Sequence, residues 1–497
     1  MTSQTPGAQG ARTDLAYLSA SDALAAFRAR TLSPVELLDA LYAQADALEP
    51  KVNAIVHRRR EAAYAAAREA EQRYGGRGGG APRALEGLPV ALKEEQPITG
   101  EPSEGGCLLL RGTIAADTHP LVTRIVEAGG VPHIRTTTPE FSSAGFTHSR
   151  LWGVTRNPWN PDYTPGGSSG GSGAALAAGM APLATGSDIG GSIRLPASLS
   201  GVVGYKPPYG RVPAMAPWNL DTYCHDGPMA RTVADTALLE NVIAGQHPDD
   251  IVSLPAPGPV EAGARAVERM RGRRVVFART MGDTPVEPEI AAAIERSARG
   301  LEALGVHVEE VTLDVPMHLL GEAAFTHYGT MFGPSVDEVV NGPEDEAQLT
   351  GYARALRDRA AAALARNGVY AGALAESEIA RRTLEAMGGA ELLLLPTLAT
   401  LGWLAGDDYT ETPCVVNGVA LDFYLTAGLT PIFNVLARRP VLSVPMGLAS
   451  NGVPMGVQVV GRPYADQDVF DGGAALEALA GPGGWWARED WRPPMAR

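Results

Sequence analysis

The chain has 497 residues, of which 45% are hydrophobic and 20% charged, so it can bury a large core and is not predominantly disordered. Its net charge of −15 argues against nucleic acid or an anionic membrane as a partner, because both bind basic protein surfaces. Three cysteines cannot build a disulfide framework, and no His-Glu-x-x-His pair indicates a zinc site. We therefore expect neither a metal nor a cofactor.

The N-terminus, residues 1–13, is predicted to be a flexible tail, and it lacks the apolar stretch of a secretory signal. No run of about 18 apolar residues predicts a transmembrane helix, so a cytoplasmic protein is expected. Lysine is rare, since only three of the 41 basic residues are lysine: Lys51, Lys93 and Lys206. Because a buried lysine can lose its proton and an arginine cannot, a retained lysine is a candidate for chemistry.

The region of about residues 14–75 is predicted to be helical. Ser33-Pro34-Val35-Glu36 is a helix start, in which the serine caps, the proline occupies the first helical position and the glutamate closes a capping box. A second helix is predicted from about His57 to Tyr74, where two glycines follow. The short apolar strand Leu88–Leu92 then delivers Lys93 at its end.

Helices and strands alternate through the rest of the chain, which is typical of an α/β fold. The predicted helices are 121–128, 172–180, 231–244, 288–304 and 345–388, and the predicted strands are 131–135, 182–185, 273–278, 306–313 and 391–395. Val441–Val444 and Val453–Val460 flank Asn451-Gly452, which predicts a hairpin. Because apolar patterning crosses every plausible boundary, we expect one large domain over residues 14–497.

Two loops rich in glycine and serine, 165–173 and 186–200, interrupt this pattern. Glycine-rich backbone held between rigid elements can aim several N–H groups at one point, as an oxyanion site requires. The run Gly166-x-Ser168-x-Gly170 formally matches the nucleophile elbow of α/β-hydrolases. Three prolines precede it where that motif needs a strand, and the last histidine, His327, lies too early in the chain for a Ser-His-Asp triad.

Without a histidine base, a lysine is the candidate that activates a serine, provided that burial favours its neutral form. Lys93 ends an apolar strand, where burial is plausible. We expect Lys51 to be solvated at a helix end and Lys206 to be structural.

The sequence resembles the amidase signature family of serine hydrolases. The resemblance rests on Gly166-Gly167-Ser168-Ser169-Gly170-Gly171-Ser172, on Gly186-Ser187-Asp188-Ile189-Gly190-Gly191-Ser192-Ile193-Arg194 and on Gly201-Val202-Val203-Gly204-Tyr205-Lys206-Pro207. Further matches include Leu88-Pro89-Val90-Ala91-Leu92-Lys93 and Gly456-Val457-Gln458-Val459-Val460-Gly461-Arg462-Pro463. The matching blocks cover about residues 88–235 and 440–463.

The resemblance implies an α/β/α domain in which helices cover a central mixed, twisted sheet. It also implies a Ser–Ser–Lys triad, with Ser192 as nucleophile, Ser168 as bridging serine on a cis peptide and Lys93 as base. The N–H groups expected to cradle the oxyanion are those of Ile189, Gly190, Gly191 and Ser192. Supporting roles are expected for Ser169, Ser187, Asp188 and Arg194, with the last two fixing the loop. Ser172 is expected to cap a helix, and Lys206 and Arg231 to be structural.

The sequence departs from the family pattern around the expected acyl pocket. Glu94 replaces the usual aspartate after the lysine, the segment Thr136–Phe141 reads differently, and His148 stands where a smaller polar residue is usual. The carboxylates between Glu94 and Glu104 suggest a cationic substrate, but a solvated loop is the reading that we favour. The region of about residues 314–440 is expected to supply much of the pocket.

We expect a small-molecule amide as substrate, and the chemistry extends to esters. One alternative is an acyltransferase that uses the same acyl-enzyme, and another is an ammonia donor similar to the A subunit of the glutamine amidotransferases. The run Asn219–Asp226 weakens the second alternative, because that subunit tends to carry a different run at this place. A scaffold without catalysis is disfavoured because all three triad residues are present. The sequence leaves a homodimer open.

Overall fold

The computed structural model describes residues 15–77 and 79–497, so the predicted tail 1–13 lies outside the described residues. The strands, numbered in chain order, are β1 (Ile55–Arg58), β2 (Pro89–Lys93), β3 (Val131–Thr136), β4 (His148–Ser149), β5 (Gly153–Val154), β6 (Leu183–Asp188), β7 (Val203–Lys206), β8 (His225–Ala230), β9 (Arg274–Phe277), β10 (His307–Glu310), β11 (Leu392–Pro396), β12 (Cys414–Val416), β13 (Val419–Leu421), β14 (Val441–Leu448) and β15 (Pro454–Gly461).

The α-helices, numbered likewise, are α1 (Ala20–Ala29), α2 (Pro34–Val52), α3 (Arg60–Tyr74), α4 (Pro120–Glu127), α5 (Gly170–Ala177), α6 (Arg194–Ser200), α7 (Val233–Ile243), α8 (Ala264–Met270), α9 (Pro288–Ala303), α10 (Met317–Tyr328), α11 (Phe332–Asp337), α12 (Pro343–Glu346), α13 (Gly351–Met387), α14 (Ile432–Val435) and α15 (Asp466–Ala478). None of the described helices combines the length and the hydropathy needed to span a lipid bilayer.

Among the described residues, eleven strands form one sheet in the order β1-β3-β2-β6-β8-β7-β14-β15-β11-β9-β10. The sheet is mixed, because β2 pairs in parallel with β3 and β6, whereas β8 is antiparallel to β6 and β7. Strand β9 is parallel to β10 and β11, so the strand–helix–strand prediction around α9 is confirmed. The predicted α/β class with a mixed central sheet is likewise confirmed.

Side-chain alternation along β11 shows that helices cover both faces of the sheet. Leu392 and Leu394 pack with buried residues of α8, α9 and α15. Leu393 and Leu395 point the other way and pack with buried residues of α10 and α13. The strand is therefore apolar at every position, as expected of a strand that is buried on both faces.

Two local predictions are confirmed at the level of hydrogen bonds. The Ser33 hydroxyl accepts the Glu36 N–H at 3.1 Å, and the Glu36 carboxylate accepts the Ser33 N–H at 2.9 Å, which completes the capping box of α2. Strands β14 and β15 pair antiparallel across the Asn451-Gly452 turn. In both cases the signal lies within a few residues of chain.

Three predictions about element bounds are wrong. The helix predicted from His57 begins only at Arg60, because Ile55–Arg58 pairs with β3 as strand β1. The Gly/Ser loop predicted over 186–200 is short, since β6 runs to Asp188 and α6 begins at Arg194. Ser172 does not cap α5, which begins at Gly170; its buried hydroxyl donates to the Thr185 carbonyl at 2.8 Å.

Candidate active site

Lys93 lies at the carboxyl end of β2 and its side chain is fully buried. Its Nζ lies 2.7 Å from Ser168 Oγ, 2.8 Å from Ser187 Oγ and 2.9 Å from Glu95 Oε1. All three oxygens lie within hydrogen-bond distance of the amine. The lysine that the sequence singled out is therefore desolvated and directly bonded to one of the two expected triad serines.

Parallel pairing of β2 with β6 explains why Lys93 meets Ser187. The carboxyl ends of parallel strands lie at the same edge of a sheet, which is where polar groups of α/β proteins gather. The Lys93 N–H also donates to Thr185 Oγ1 at 3.1 Å, which fixes the end of β2 against β6. Ser187, expected only in support, thus contacts the amine as closely as Ser168 does.

Ser168 enters the site from the first Gly/Ser loop. The Gly167–Ser168 peptide bond is cis, as the resemblance implied. Position 167 requires glycine, because a Cβ there would lie 2.2 Å from the Phe146 carbonyl oxygen. The Ser169 N–H donates to the Ser192 carbonyl at 3.1 Å, and this bond ties the two loops together.

Ser168 and Ser192 both line one cavity. Among the described residues, no hydrogen bond joins their hydroxyls, so the second link of the expected relay is not made in this structure. Ser192 is 7% exposed and Ser168 is 1% exposed, which places Ser192 on the substrate side of the pair.

The loop from Ile189 to Ser192 is held by the Asp188 carboxylate. Asp188 accepts the Gly191 N–H at 2.8 Å and the Ile193 N–H at 3.2 Å. The Gly191 N–H, which was expected to face an oxyanion, bonds to Asp188 in this structure. In the described part of the chain the N–H groups of Ile189, Gly190 and Ser192 have no hydrogen-bond partner, so these three remain available.

A buried ion pair anchors this loop to the rest of the protein. Arg194 Nε and Nη2 lie 2.9 and 2.8 Å from the Asp188 carboxylate, and both side chains are fully buried. Burial acts to raise the pKa of Asp188, but the Arg194 charge and hydrogen bonds from Arg194 and Asn434 outweigh it and hold this pKa well below its usual range. A carboxylate that stays ionised can hold the loop at any physiological pH.

Residues that the sequence did not single out complete the cradle of the loop. Thr430 Oγ1 donates to the Gly190 carbonyl at 2.7 Å. A Cβ on Gly191 would lie 2.0 Å from Thr430 Oγ1. Gly191 has φ 127°, a value that side chains rarely allow. Tyr328 donates its hydroxyl to the Ile189 carbonyl at 3.1 Å. Thr430 and Tyr328 both come from the 314–440 region, where no motif marked them.

Lys206 and Arg231 lie away from the cavity lining. Lys206 Nζ donates to the Arg439 carbonyl at 3.0 Å, and burial lowers the pKa of this lysine well below its usual value. Arg231 donates to the carbonyls of Ala181 and Leu18, each at 2.8 Å, and burial lowers its pKa to about 10. Both side chains connect backbone segments.

The acidic segment after Lys93 is neither a solvated loop nor a cluster that faces a substrate. Glu94 is buried and accepts backbone N–H groups of residues 104 and 105, and burial raises its pKa. Glu101 pairs with Arg59 at 2.7 Å. Glu95 alone among the four carboxylates of this segment lines the cavity, where it also accepts the Ser142 hydroxyl. The only feature of the sequence that pointed to Glu95 as a cavity residue was its position two residues after Lys93.

The cavity has a volume of about 440 Å³ and combines a polar and an apolar lining. Its ionisable lining groups are Glu95, His119, Cys224, Asp226 and Tyr328. No lysine or arginine is among the described residues that line it. His119 and Asp226 pair at 3.3 Å, and Asp226 also accepts the Gln96 amide at 2.7 Å.

Cys224 is the one thiol among the described lining residues. Burial, with the negative charges of Asp221, Asp226 and Glu95, raises the pKa of this thiol well above its usual value. A thiol that keeps its proton is a poor nucleophile. The candidate nucleophiles of the cavity are therefore its serine hydroxyls. Within the described residues, no group of three or more His, Cys, Asp and Glu side chains is placed to hold a metal ion.

A mixed sheet that carries a buried lysine and two serine-bearing loops at one edge has the architecture of the amidase signature enzymes. Residues 36–470 match the family model described as Amidase, and the chain therefore belongs to the amidase family. The A subunit of the Chloroflexus aggregans glutamyl-tRNA(Gln) amidotransferase is 33% identical over 508 residues, covering 98% of this chain and all of the relative.

Two solved structures are similar over nearly their whole length. A bacterial aryl acylamidase superposes with a TM-score of 0.84 at 28% identity, covering 97% of this chain and 98% of the other. A 6-aminohexanoate cyclic dimer hydrolase superposes with a TM-score of 0.82 at 28% identity, covering 97% and 100%. The predicted family is confirmed, and amide C–N bond chemistry is the activity common to these names.

Proposed function

We propose that this protein hydrolyses a carboxylic amide through an acyl-enzyme, with Ser192 as nucleophile, Ser168 as proton relay and Lys93 as base. The observation that carries the proposal is the 2.7 Å hydrogen bond from the buried Lys93 Nζ to Ser168 Oγ, in the wall of the cavity that Ser192 also lines. A buried amine next to a hydroxyl can replace the histidine of other serine hydrolases.

In the first step neutral Lys93 takes the proton of Ser168, and Ser168 takes the proton of Ser192. Ser192 Oγ forms a bond to the amide carbon, whose oxygen becomes an oxyanion. The N–H groups of Ile189, Gly190 and Ser192 are the donors available to it, and one such donor typically lowers the barrier by about 3 kcal/mol. Lys93 is then an ammonium ion, and Glu95 at 2.9 Å supplies its counter-charge.

In the second step the C–N bond breaks and the leaving nitrogen takes a proton from Ser168, which is replenished by Lys93. Water then attacks the acyl-enzyme by the same relay and releases the acid. Esters follow the same path, because an alkoxide leaves more readily than an amine. The relay thus returns to its starting protonation state after each turnover.

The proposal is tested by trapping the acyl group. We expect Ser192→Ala to lose at least about a thousandfold in kcat and to give no covalent adduct by mass spectrometry. Ser377→Ala removes an exposed hydroxyl on α13 and is expected to keep wild-type activity and the adduct on Ser192. An adduct on another residue, or full activity of Ser192→Ala, would contradict the assignment.

An ammonia-donating amidotransferase is the second candidate, and the full-length similarity to the A subunit of glutamyl-tRNA(Gln) amidotransferase favours it. Glutamine carries a carboxylate that a binding site would pair with a cation. The described lining of the cavity instead offers the carboxylates of Glu95 and Asp226 and no lysine or arginine. Hydrolysis by the chain alone is therefore the function that we propose.

Two assays separate the candidates. The isolated chain is expected to hydrolyse uncharged primary amides faster than glutamine. With hydroxylamine present, a hydrolase should give mainly the acid at modest amine concentration, whereas predominant hydroxamate would indicate acyl transfer. Glutamine as the preferred substrate would favour the amidotransferase.

A further inference from the structure

One face of helix α10 forms a wall of the cavity. The lining residues of this helix recur every three or four positions and therefore share one side of it: Met317, Leu320, Gly321, Ala324, Phe325 and Tyr328. Every turn of α10 contributes to the lining, so the cavity follows the helix along its whole length.

The two ends of α10 line parts of the cavity that lie far apart along the helix. Tyr328, near the C-terminal end, bonds to the Ile189 carbonyl next to the expected oxyanion donors. Met317 lies eleven residues earlier, which is about 16 Å along a helix axis. Met281, which is almost fully buried, also lines the cavity and is joined by a bridge pairing to Leu313, just before α10. The cavity thus has an arm that runs from the Ser192 loop towards Met281 and Met317.

This arm, which we call the α10 arm, is apolar. Besides α10, its side chains come from the two buried clusters that α10 joins: Leu195, Met281, Phe332, Leu356 and Leu425. The carboxylates of the cavity lie elsewhere, since Glu95 contacts Lys93, and Asp226 pairs across the strands with Ser187, another Lys93 partner. The carboxylates therefore lie on the Lys93 side of the cavity, whereas the lining hydroxyls of Ser335 and Thr426 donate to backbone carbonyls.

The relay fixes which part of a substrate enters the α10 arm. The leaving nitrogen must face Ser168, because Ser168 protonates it, and Ser168 lies on the Lys93 side. The oxygen must face the Ile189–Ser192 loop. The acyl group then points away from Lys93, and the C-terminal end of α10 lies beside the loop, where Tyr328 bonds to the Ile189 carbonyl.

We propose that the α10 arm is an acyl site for uncharged, apolar acyl chains, aliphatic or arylalkyl, longer than acetyl. This inference rests on the proposed hydrolysis for its direction, and it names the substrate class of that site. A charged acyl terminus is excluded because the arm offers it no counter-ion and no described lysine or arginine lines the cavity.

The test compares a series of primary amides from acetamide to decanamide. We expect kcat/KM to rise about fourfold for each added methylene until the arm is full. Succinamate, which ends in a carboxylate, is expected to react at least about a hundredfold more slowly than pentanamide of similar length. Equal rates along the series, or equal rates for that pair, would overturn the proposal.

A variant inside the arm separates a direct effect from misfolding. Gly321 has room for a Cβ, whose nearest neighbour would be the Phe325 ring at 3.7 Å, and leucine favours a helix more than glycine does. Gly321→Leu is expected to lower the rate on decanamide at least about thirtyfold more than the rate on acetamide. Glu322→Leu adds the same side chain on the exposed face of α10 and should leave both rates unchanged. Equal losses on both amides in Gly321→Leu would contradict the inference.

Binding of methyl ketones, which have no leaving group, distinguishes failure of the arm from failure of the reaction. Calorimetry with the wild-type chain should give tighter binding of 2-octanone than of 2-butanone. If no amide is hydrolysed but the longer ketone binds more tightly, the α10 arm stands as a binding site for apolar chains and the proposed function falls. If amides are hydrolysed and the two ketones bind equally, the reaction stands and the arm inference falls.

Discussion

Replacing Asp188 with asparagine tests whether the buried ion pair holds the loop that carries Ser192. The carboxylate accepts hydrogen bonds from Gly191 and Ile193 and pairs with Arg194, and both charged side chains are completely buried. The variant keeps the shape of the side chain but leaves the Arg194 charge uncompensated. Removing one partner of such a pair typically costs about 3–5 kcal/mol of unfolding free energy.

Urea unfolding at neutral pH measures this cost, and a control defines the background. Glu378→Gln removes a carboxylate from an exposed ion pair of α13 with Arg381 and should leave the unfolding midpoint unchanged. Under conditions in which Asp188→Asn is folded, we expect kcat to fall roughly a hundredfold, because the N–H groups of the loop are no longer fixed. A stability loss below about 1 kcal/mol, or unchanged kcat, would refute this reasoning.

Three further predictions follow from named contacts. Gly167→Ala should give little folded protein, because its Cβ would lie 2.2 Å from the Phe146 carbonyl oxygen. Solubility and circular dichroism measure the folded fraction. A folded, active variant would contradict the close contact between residue 167 and Phe146. Glu95→Ala should lower kcat at least about tenfold, because a Lys93 hydrogen is left without an acceptor. Glu95→Gln keeps an acceptor oxygen and should lose less kcat. Equal losses of kcat in steady-state kinetics would contradict this role of Glu95. Burial raises the pKa of Glu240 well above its usual value, so its contribution to stability is present at low pH and is lost as pH rises towards the folded-state pKa. Glu240→Gln should therefore gain stability relative to the wild type as pH rises above the usual glutamate pKa of 4.5, measured by urea unfolding, and a constant difference would contradict a raised pKa of Glu240.

Features encoded by neighbouring residues could be predicted from the sequence. The capping box at Ser33 and the Asn451-Gly452 hairpin are local, because the cap joins residues three positions apart and the hairpin turns within the stretch between Leu448 and Pro454. Placing Lys93 at the end of a buried strand required only the apolar run before it. The α/β class followed from the alternation of such elements.

Features set by long-range contacts could not be predicted. Strand β1 exists because the edge of β3 is available to Ile55–Arg58, and nothing in those four residues marks this pairing. Thr430 contacts Gly190 across 240 positions of sequence. The orientation of the Gly191 N–H depends on where the Asp188 carboxylate lies, although both residues stand in the recognised motif. A motif identifies the participants, but the assignment of each donor needs coordinates.

The central claim is that the Lys93 amine drives Ser192 through Ser168, and chemical rescue at position 93 tests it most directly. Lys93→Cys should form acyl-enzyme at least about a thousandfold more slowly than the wild type in stopped-flow experiments. Alkylation of that cysteine with 2-bromoethylamine places an amine at nearly the original position, and a substantial part of the acylation rate should return. Alkylation with a neutral reagent of similar size should restore nothing. Acylation of unmodified Lys93→Cys at the wild-type rate, or equal rescue by both reagents, would contradict the account.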